Sequence, residues 1–448
     1  MKKQALLLQG LLFFAVAILF TANCNSNLFG LGKPGQFEGF QMDSEESVRV
    51  MLQKVARDGY WSSGGFMMAR DIDKEPYMSA WGLQGKVASA LYLLGGQKSD
   101  FIKKGHFTVS LLFGIMMALF TVFLCRRFGW FVSLAFAVLL SLSDWLVFAG
   151  RNMYLVYFLH LLPFVLSFML FPLVVKNRHF RFAHFLWIIG AASLFNALCF
   201  FDYVSNIVLS TAIGPLFFGI CERKDWRQIS RWVIFTLLAS GGAVILSVLA
   251  IGVQTALYTG EISSCFNHII HQAAFRSIAA EQNQQIGTPP GVSAWMIFEQ
   301  YLTLPMISLP FQKNPNRYRI FFSLFAAIAA LLPLGMSAGL DRKVFPRFAS
   351  SQRMLWALAV STAWGLAASL SWAFLMKGHM FHHMHMNGML FYIPYMLMIY
   401  IFFAVIVRLL LLQVWDWVRN REWPCYAMED ESKATVVSKG FNTKKRSS

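Results

Sequence analysis

The fold class is decided by residues 107–149, which read FTVSLLFGIMMALFTVFLCRRFGWFVSLAFAVLLSLSDWLVFA. Two apolar runs are separated here only by Arg126, Arg127 and Phe128. Each run is long enough for an α-helix to cross the roughly 30 Å hydrocarbon core of a bilayer. Because the connection is so short, the two helices must be antiparallel neighbours. The stretch therefore predicts a pair of membrane-spanning helices.

The composition of the whole chain agrees with this prediction. Of its 448 residues, 57% are hydrophobic and only 14% are charged, whereas a soluble domain keeps about a quarter charged. This composition excludes a soluble enzyme, a disordered protein and a disulfide-stapled secreted domain. The net charge of +17 would by itself suggest a nucleic-acid partner, but the hydrophobic fraction argues against one. The six cysteines have no CxxC spacing, so no metal knuckle or redox pair is indicated.

Apolar runs of spanning length predict an all-α polytopic membrane protein with about ten transmembrane helices. The first run lacks a small-x-small cleavage site, so we interpret it as a retained helix and not as a signal peptide. The predicted helices lie near 5–22, 107–125, 129–149, 153–175, 184–200, 203–221, 232–257, 319–338, 354–376 and 388–413. The chain is thus divided into a first helix (1–22), an outer loop (23–106), helices 2–7 (107–257), a second outer loop (258–318), helices 8–10 (319–413) and a basic cytoplasmic tail (414–448).

The positions of lysine and arginine predict the orientation of the chain. With the N-terminus in the cytoplasm, the four inner loops carry thirteen basic residues and the three short outer loops carry two. Because basic residues accumulate in cytoplasmic loops, both termini are expected in the cytoplasm and both long loops outside. The bacterial inner membrane is the expected location, with the outer loops in the periplasm, or in the lumen if the source is eukaryotic.

The first outer loop contains two segments with helical amphipathic patterns, 44–59 and 79–95. Both are expected to be short helices that lie on the outer surface of the membrane. The apolar stripes consist of Val48, Met51, Leu52 and Val55 in the first segment and of Leu83, Val87, Leu91 and Leu94 in the second.

Acidic residues collect at the outer side and are the first candidates for chemistry. A carboxylate there can act as a general base, or can hold a divalent cation such as Mg²⁺ or Mn²⁺ against a phosphate leaving group. A capping box at the start of the 44–59 helix also explains Asp43 with Glu46, and a solvated loop also explains the Asp-x-Asp pair. The candidates are Asp43, Glu45, Asp71, Asp73, Asp144 and Asp202.

A second group of candidates consists of cations and histidines. Arg151, in an outer turn, suits a phosphate, although it could instead extend its charged end towards the interface. Neutral histidines are common zinc ligands, but no nearby cysteine or carboxylate completes a zinc site. The histidine cluster is therefore better explained as a set of donors for a lipid-linked phosphate, or as an interfacial loop without a ligand. This cluster consists of Lys377, His379, His382, His383 and His385.

The layout resembles the type C (GT-C) superfamily of polytopic membrane glycosyltransferases. Asp43-Ser-Glu45 stands where that family has its acidic motif, in a long outer loop after the first helix. The stretches 77–85, 148–154 and 379–394 are similar to its loop end, its short outer turn and its histidine- and aromatic-rich turns. The resemblance covers the layout of about the first 260 residues and one late turn.

The resemblance implies transfer of a sugar from a polyprenyl-phosphate donor to an acceptor glycan, lipid or protein at the outer face. Asp43, with Glu45, would provide the general base, and Arg151, Lys377 and the histidines would bind the departing phosphate. Asp71, Asp73 or Asp202 would position the acceptor or bind a metal. The alternatives are a lipid-linked oligosaccharide ligase or polymerase, a transporter or flippase, and a membrane scaffold. A transporter would be expected to have charged or broken helices at mid-membrane, and the sequence shows few of either.

Overall fold

The computed structural model describes residues 2–31, 34–40, 42–61, 80–176, 179–261, 305–308, 319–321, 346–377 and 387–420, together with Met380 and single residues between 263 and 299. Within these residues, eight helical segments are long and apolar enough to cross a membrane. This indicates an all-α, multi-pass integral membrane protein. The segments are α1 (Lys2–Ser26), α5 (Phe101–Phe128), α8 (Phe158–Lys176), α9 (Phe182–Cys199), α10 with α11 (Val204–Ser210, Ile213–Cys221), α12 (Trp226–Thr259), α13 (Pro346–Leu375) and α15 (Tyr395–Asn420).

Shorter elements connect these helices. They are α2 (Pro34–Glu38), α3 (Met42–Asp58), α4 (Leu83–Leu94), α6 (Trp130–Ser141), α7 (Asp144–Ala149), α14 (Asn387–Phe391), β1 (Pro305–Ser308) and β2 (Arg319–Phe321). The two strands are antiparallel, and Ile307 is opposite Ile320. The predicted span 319–338 therefore differs from the structure at its first three residues, which are in β2, and its other residues lie outside the described ranges.

The bundle has two chemically different ends. Helices α1 and α5 pack antiparallel and very closely, because a Cβ added to Gly114 would lie 2.7 Å from the Ala17 carbonyl oxygen. Gln9 accepts a hydrogen bond of 2.8 Å from Arg126 where α5 ends. We call the end near Arg126 the basic end, and the opposite end, where α1 finishes and α5 begins, the acidic end. Glu45, Asp144 and Asp202 lie at the acidic end.

The predicted span 129–149 is wrong as a single helix. It is divided into α6 and α7, because Ser143 caps a new helix by accepting a 3.3 Å hydrogen bond from the Leu146 N–H. The two helices still run together from the basic end to the acidic end, since Asn23 near the end of α1 donates to the Ser141 carbonyl at 2.8 Å. The segment 203–221 is also interrupted, at residues 211–212 between α10 and α11. Broken helices are thus more frequent than the sequence indicated.

The two amphipathic helices of the first loop are oriented in opposite ways. In α3, the apolar stripe that includes Val48 and Met51 is buried, so this helix packs its apolar face on the bundle and not on the membrane. In α4, the stripe formed by Val87, Leu91 and Leu94 is 50%, 55% and 85% exposed. The opposite face of α4 is buried and includes the polar residues Lys86 and Ser89.

Candidate functional site

Glu45 is held in a buried network where α3 covers the acidic end of the bundle. It lies on the face of α3 that carries the buried Val48 and Leu52, so packing of this face turns the carboxylate inwards. Glu45 Oε1 lies 2.5 Å from Nε2 of His106 in α5, and the two side chains are only 10% and 12% exposed. Since a carboxylate can only accept, the imidazole donates from Nε2. The result is a buried carboxylate–imidazole pair.

The turn after α7 supplies a backbone donor to the same carboxylate. The N–H of Met153 donates to Glu45 Oε1 at 3.4 Å. Asn152 holds this turn in place, because its side-chain oxygen accepts 2.9 Å hydrogen bonds from the N–H groups of Tyr154 and Leu155. The amide of Asn152 donates to the Phe40 carbonyl at 3.3 Å. Glu45 is therefore positioned by three separate parts of the chain: α3, α5 and this turn.

Arg151 brings a positive charge to this site. Its guanidinium lies 4.5 Å from the ring centroid of Phe37 in a cation–π contact. Burial lowers the pKa of Arg151, while the carboxylates of Glu45 and Glu38 act in the opposite direction. An arginine remains charged even under such a shift. The predicted candidates Glu45 and Arg151 thus lie within electrostatic range of each other.

Asp43 lies two residues before Glu45, in the first turn of α3. The helix begins at Met42, so Asp43 is not at the capping position that the sequence predicted. Its side chain is outside the described part of the structure, and its catalytic role stays a prediction.

Asp144 belongs to a different cluster at the acidic end. It is buried at the start of α7 and accepts a 3.1 Å hydrogen bond from the Trp145 N–H. Burial raises the pKa of Tyr392, and the charge of Asp144 adds to this effect. The Tyr392 hydroxyl pairs with the Tyr400 hydroxyl at 2.9 Å and with the Met306 carbonyl at 2.7 Å. These contacts connect α7, α15 and the β1 strand.

Asp202 lies near a polar pair inside the bundle. It is buried and close enough to His160 of α8 to interact with it electrostatically. His160 Nδ1 is 2.5 Å from the side-chain nitrogen of Asn196 in α9. His160 is only 1% exposed, and its Nε2 has no hydrogen-bond partner among the described residues. This polar pair lies within two of the predicted apolar spans, 153–175 and 184–200.

Lys86 forms a further polar contact at the acidic end, on the buried face of α4. Its ammonium contacts the side-chain oxygen of Gln254 in α12 and lies 3.5 Å from the ring centroid of Trp81. Burial lowers the pKa of Lys86 from 10.5 to about 7. The Gln254 amide also donates to the Ala80 carbonyl at 3.3 Å, so this contact attaches α4 to the end of a spanning helix.

Several predicted residues cannot be placed in this site. Lys377 follows α13 and is partly exposed. Among the described residues, no group of three or more His, Cys, Asp or Glu side chains could hold a metal ion. Metal binding by the remaining candidates stays a prediction. Six further predicted site residues lie outside the described ranges: Asp71, Asp73, His379, His382, His383 and His385.

Sequence reasoning missed His106, His160 and Lys86. His160 could have been found, because an ionisable residue inside an apolar span is unusual and is commonly functional. His106 could have been noticed as the last polar residue before the apolar run at 107. Lys86 carried no such signal, since a lysine in an amphipathic loop helix is ordinarily solvated.

The arrangement around Glu45 can carry out proton transfer next to a fixed positive charge. A buried carboxylate with an imidazole neighbour can take a proton from a hydroxyl, and a guanidinium suits a phosphate. Comparisons with protein-family models, with curated proteins and with solved structures found no match to this chain.

Proposed function

We propose that the protein is an integral-membrane glycosyltransferase that moves a sugar from a polyprenyl-phosphate donor to an acceptor at the acidic end. The observation that carries this proposal is the buried Glu45 carboxylate, held by His106 and the Met153 N–H beside the Arg151 guanidinium. It provides a proton acceptor and a phosphate-binding cation in one place, on a loop helix that covers the bundle.

In the proposed reaction, Glu45 takes the proton from an acceptor hydroxyl. The hydroxyl oxygen then forms a bond to the anomeric carbon of the sugar. The bond between that carbon and the phosphate oxygen breaks, and the lipid phosphate leaves with the electron pair. Arg151 stabilises the charge of the departing phosphate, and His106 orients the Glu45 carboxylate. Asp43 is the alternative base on the same helix turn.

The inverted polarity of α4 supports access for a lipid-linked donor. The helix exposes Val87, Leu91 and Leu94 and buries Lys86. Such a pattern is unfavourable in water, and contact of the exposed side with lipid removes this cost. Nearby, α12 exposes Val253 and Leu257 in the same way. A polyprenyl chain could approach the acidic end along this apolar surface.

The distribution of charge supports the proposed orientation. The basic end carries Arg126, Arg127 and Lys176 at helix ends, which is typical of a cytoplasmic face. The acidic end would therefore face the periplasm of a bacterial inner membrane, with both termini in the cytoplasm. The proposed partners are the bilayer, a polyprenyl-phosphate-linked sugar, and an acceptor glycan, lipid or protein.

The test is a transfer assay with purified protein in nanodiscs, a panel of radiolabelled undecaprenyl-phosphate sugars and a membrane extract as acceptor. Wild-type protein is expected to transfer label without forming polymer. Glu45→Gln should lower turnover by about 10²–10⁴-fold, the usual contribution of a general base. Parallel reactions with EDTA, and with added Mg²⁺ or Mn²⁺, determine whether a metal is required.

Glu46→Gln is the matched control, because Glu46 is the next residue and its side chain is 46% exposed. It should retain wild-type turnover. Asp43→Asn decides between the two candidate bases, since the true base is the one whose loss abolishes transfer in folded protein. Equal turnover of Glu45→Gln and wild-type protein would exclude Glu45, and absence of transfer with every donor would exclude the function.

Transport is the second candidate function, and two observations favour it. The segments 130–149 and 204–221 are interrupted helices, and the His160–Asn196 pair is buried between α8 and α9. Discontinuous helices and intramembrane ionisable groups are typical of transporters. Movement of an intact lipid-linked sugar across proteoliposomes, without transfer, would support this function over the first.

A further inference from the structure

A cavity of about 230 Å³ opens at the basic end of the bundle, whereas Glu45 lies at the acidic end. It lies between α11 and α13 and is lined by Ile220, Gln352, Arg353 and Trp356. Ile220 is next to the end of α11, where the following Glu222 pairs with Lys176 at 3.5 Å. The cavity is therefore at the level where helices leave the membrane and basic residues accumulate.

The residues that line this cavity have distinct chemical roles. Arg353 is exposed and forms no hydrogen bond or ion pair with any described residue. Arg347, six residues earlier on α13, is by contrast held by Asp416 at 2.6 Å. Trp356 is 42% exposed, and a half-exposed tryptophan at a membrane interface is typical of contact with lipid headgroups. The cavity thus combines a guanidinium that has no ionic partner among the described residues, an amide and two apolar side chains.

The size of the cavity limits what can occupy it. Pockets for drug-sized ligands measure roughly 300–1,000 Å³, so this one fits a small headgroup and not a whole lipid. Basic pockets between transmembrane helices at the cytoplasmic side are typical binding sites for anionic lipid headgroups. An anionic headgroup can pair with Arg353, which has no acidic partner in the described part of the chain, while the acyl chains can remain in the bilayer.

We infer that this cavity binds the phosphate headgroup of an anionic phospholipid from the leaflet at the basic end. Arg353 binds the phosphate, Gln352 hydrogen-bonds the headgroup oxygens, and Trp356 packs against the glycerol region. This inference depends on the chain spanning a membrane and not on glycosyl transfer at the acidic end.

The experiment is native mass spectrometry of the delipidated full-length protein titrated with phosphatidylglycerol, with phosphatidylcholine and with inorganic phosphate. Wild-type protein is expected to bind one phosphatidylglycerol in preference to phosphatidylcholine. Arg353→Gln should weaken this binding about fivefold, the effect of removing one basic residue near an anionic surface. Arg353→Lys, which retains the positive charge, should lose less affinity for phosphatidylglycerol than Arg353→Gln.

Arg227→Gln is the matched control, because Arg227 is exposed at the same end in the first turn of α12 but does not line the cavity. It should bind phosphatidylglycerol like the wild type. An equal loss of phosphatidylglycerol binding in both variants would mean that the overall positive charge of this end, and not the cavity, attracts the lipid, and it would overturn the proposed site. Unchanged binding in Arg353→Gln would also overturn it, and inorganic phosphate that competes as well as the lipid would overturn the lipid assignment.

Discussion

The contact between Glu45 and His106 should stabilise the folded protein by a measurable coupling energy. The two atoms are 2.5 Å apart and their side chains are about nine-tenths buried, so water does not replace the bond when it is broken. A hydrogen bond to a charged group contributes about 1.5–3 kcal/mol net. Loss of one partner from a buried hydrogen bond leaves the other polar group unsatisfied, which costs about 1–3 kcal/mol.

The perturbation is a double-mutant cycle with Glu45→Gln, His106→Gln and the double variant. Glutamine has nearly the volume of glutamate and can still accept from the Met153 N–H, so Glu45→Gln removes mainly the charge. Each single variant should lose about 1–3 kcal/mol of unfolding free energy. The double variant should lose less than the sum, which gives a coupling energy of about 1–3 kcal/mol.

The assay is unfolding in mixed micelles by increasing SDS, followed by tryptophan fluorescence and by protease resistance. Glu46→Gln is again the control, since the Glu46–Arg49 pair is exposed and 3.7 Å apart, and it should change stability by less than about 0.5 kcal/mol. A coupling energy below about 0.5 kcal/mol would mean that the two residues act independently, and would refute the buried pair.

Three further predictions concern other parts of the molecule. Because burial lowers the pKa of Lys86 to about 7, the unfolded chain binds more protons than the folded protein between about pH 7 and 10. The unfolding free energy should therefore rise with pH in that window. Lys86→Met should remove this pH dependence, and an equal slope in the variant and the wild type would contradict the prediction. Gly114→Ala should lower the unfolding free energy by about 1–3 kcal/mol, because the added Cβ would lie 2.5 Å from Thr21 Oγ1. Gly242→Ala, whose added Cβ meets open space, should raise it by about 0.5–1 kcal/mol. SDS unfolding measures both changes, and the reverse order would refute the close packing of α1 and α5. Arg347→Ala should lower the unfolding midpoint only slightly because its pair with Asp416 is exposed, and a large loss would show that this pair is structurally important.

Most of the spanning helices could be predicted from the sequence, because apolar runs of sufficient length have few alternatives in a membrane. The eight spans coincide with predicted runs, with boundaries that differ by up to eight residues. The break between α6 and α7 was missed although Ser143 followed by Asp144 is a recognisable helix start. Apolar residues on both sides concealed it, because hydropathy measures transfer to lipid and not helix continuity.

The candidate site could be predicted only in part. The sequence predicts Glu45 as a carboxylate in the first outer loop and Arg151 as a cation in an outer turn, but His106 lies 61 residues from Glu45. Their contact depends on how α3 packs against α5. No local pattern in the sequence could show this proximity, since it results from the packing of two separate helices.

The helices α3 and α4 show most clearly where the information in the sequence ends. The sequence by itself determined that each has an apolar stripe, and that such a stripe must leave water. Only the tertiary structure decided that α3 buries its stripe against the bundle, while α4 exposes Leu91 and buries Lys86. The physical reason is that the hydrophobic effect favours removal of apolar surface from water, whether protein or lipid then covers that surface.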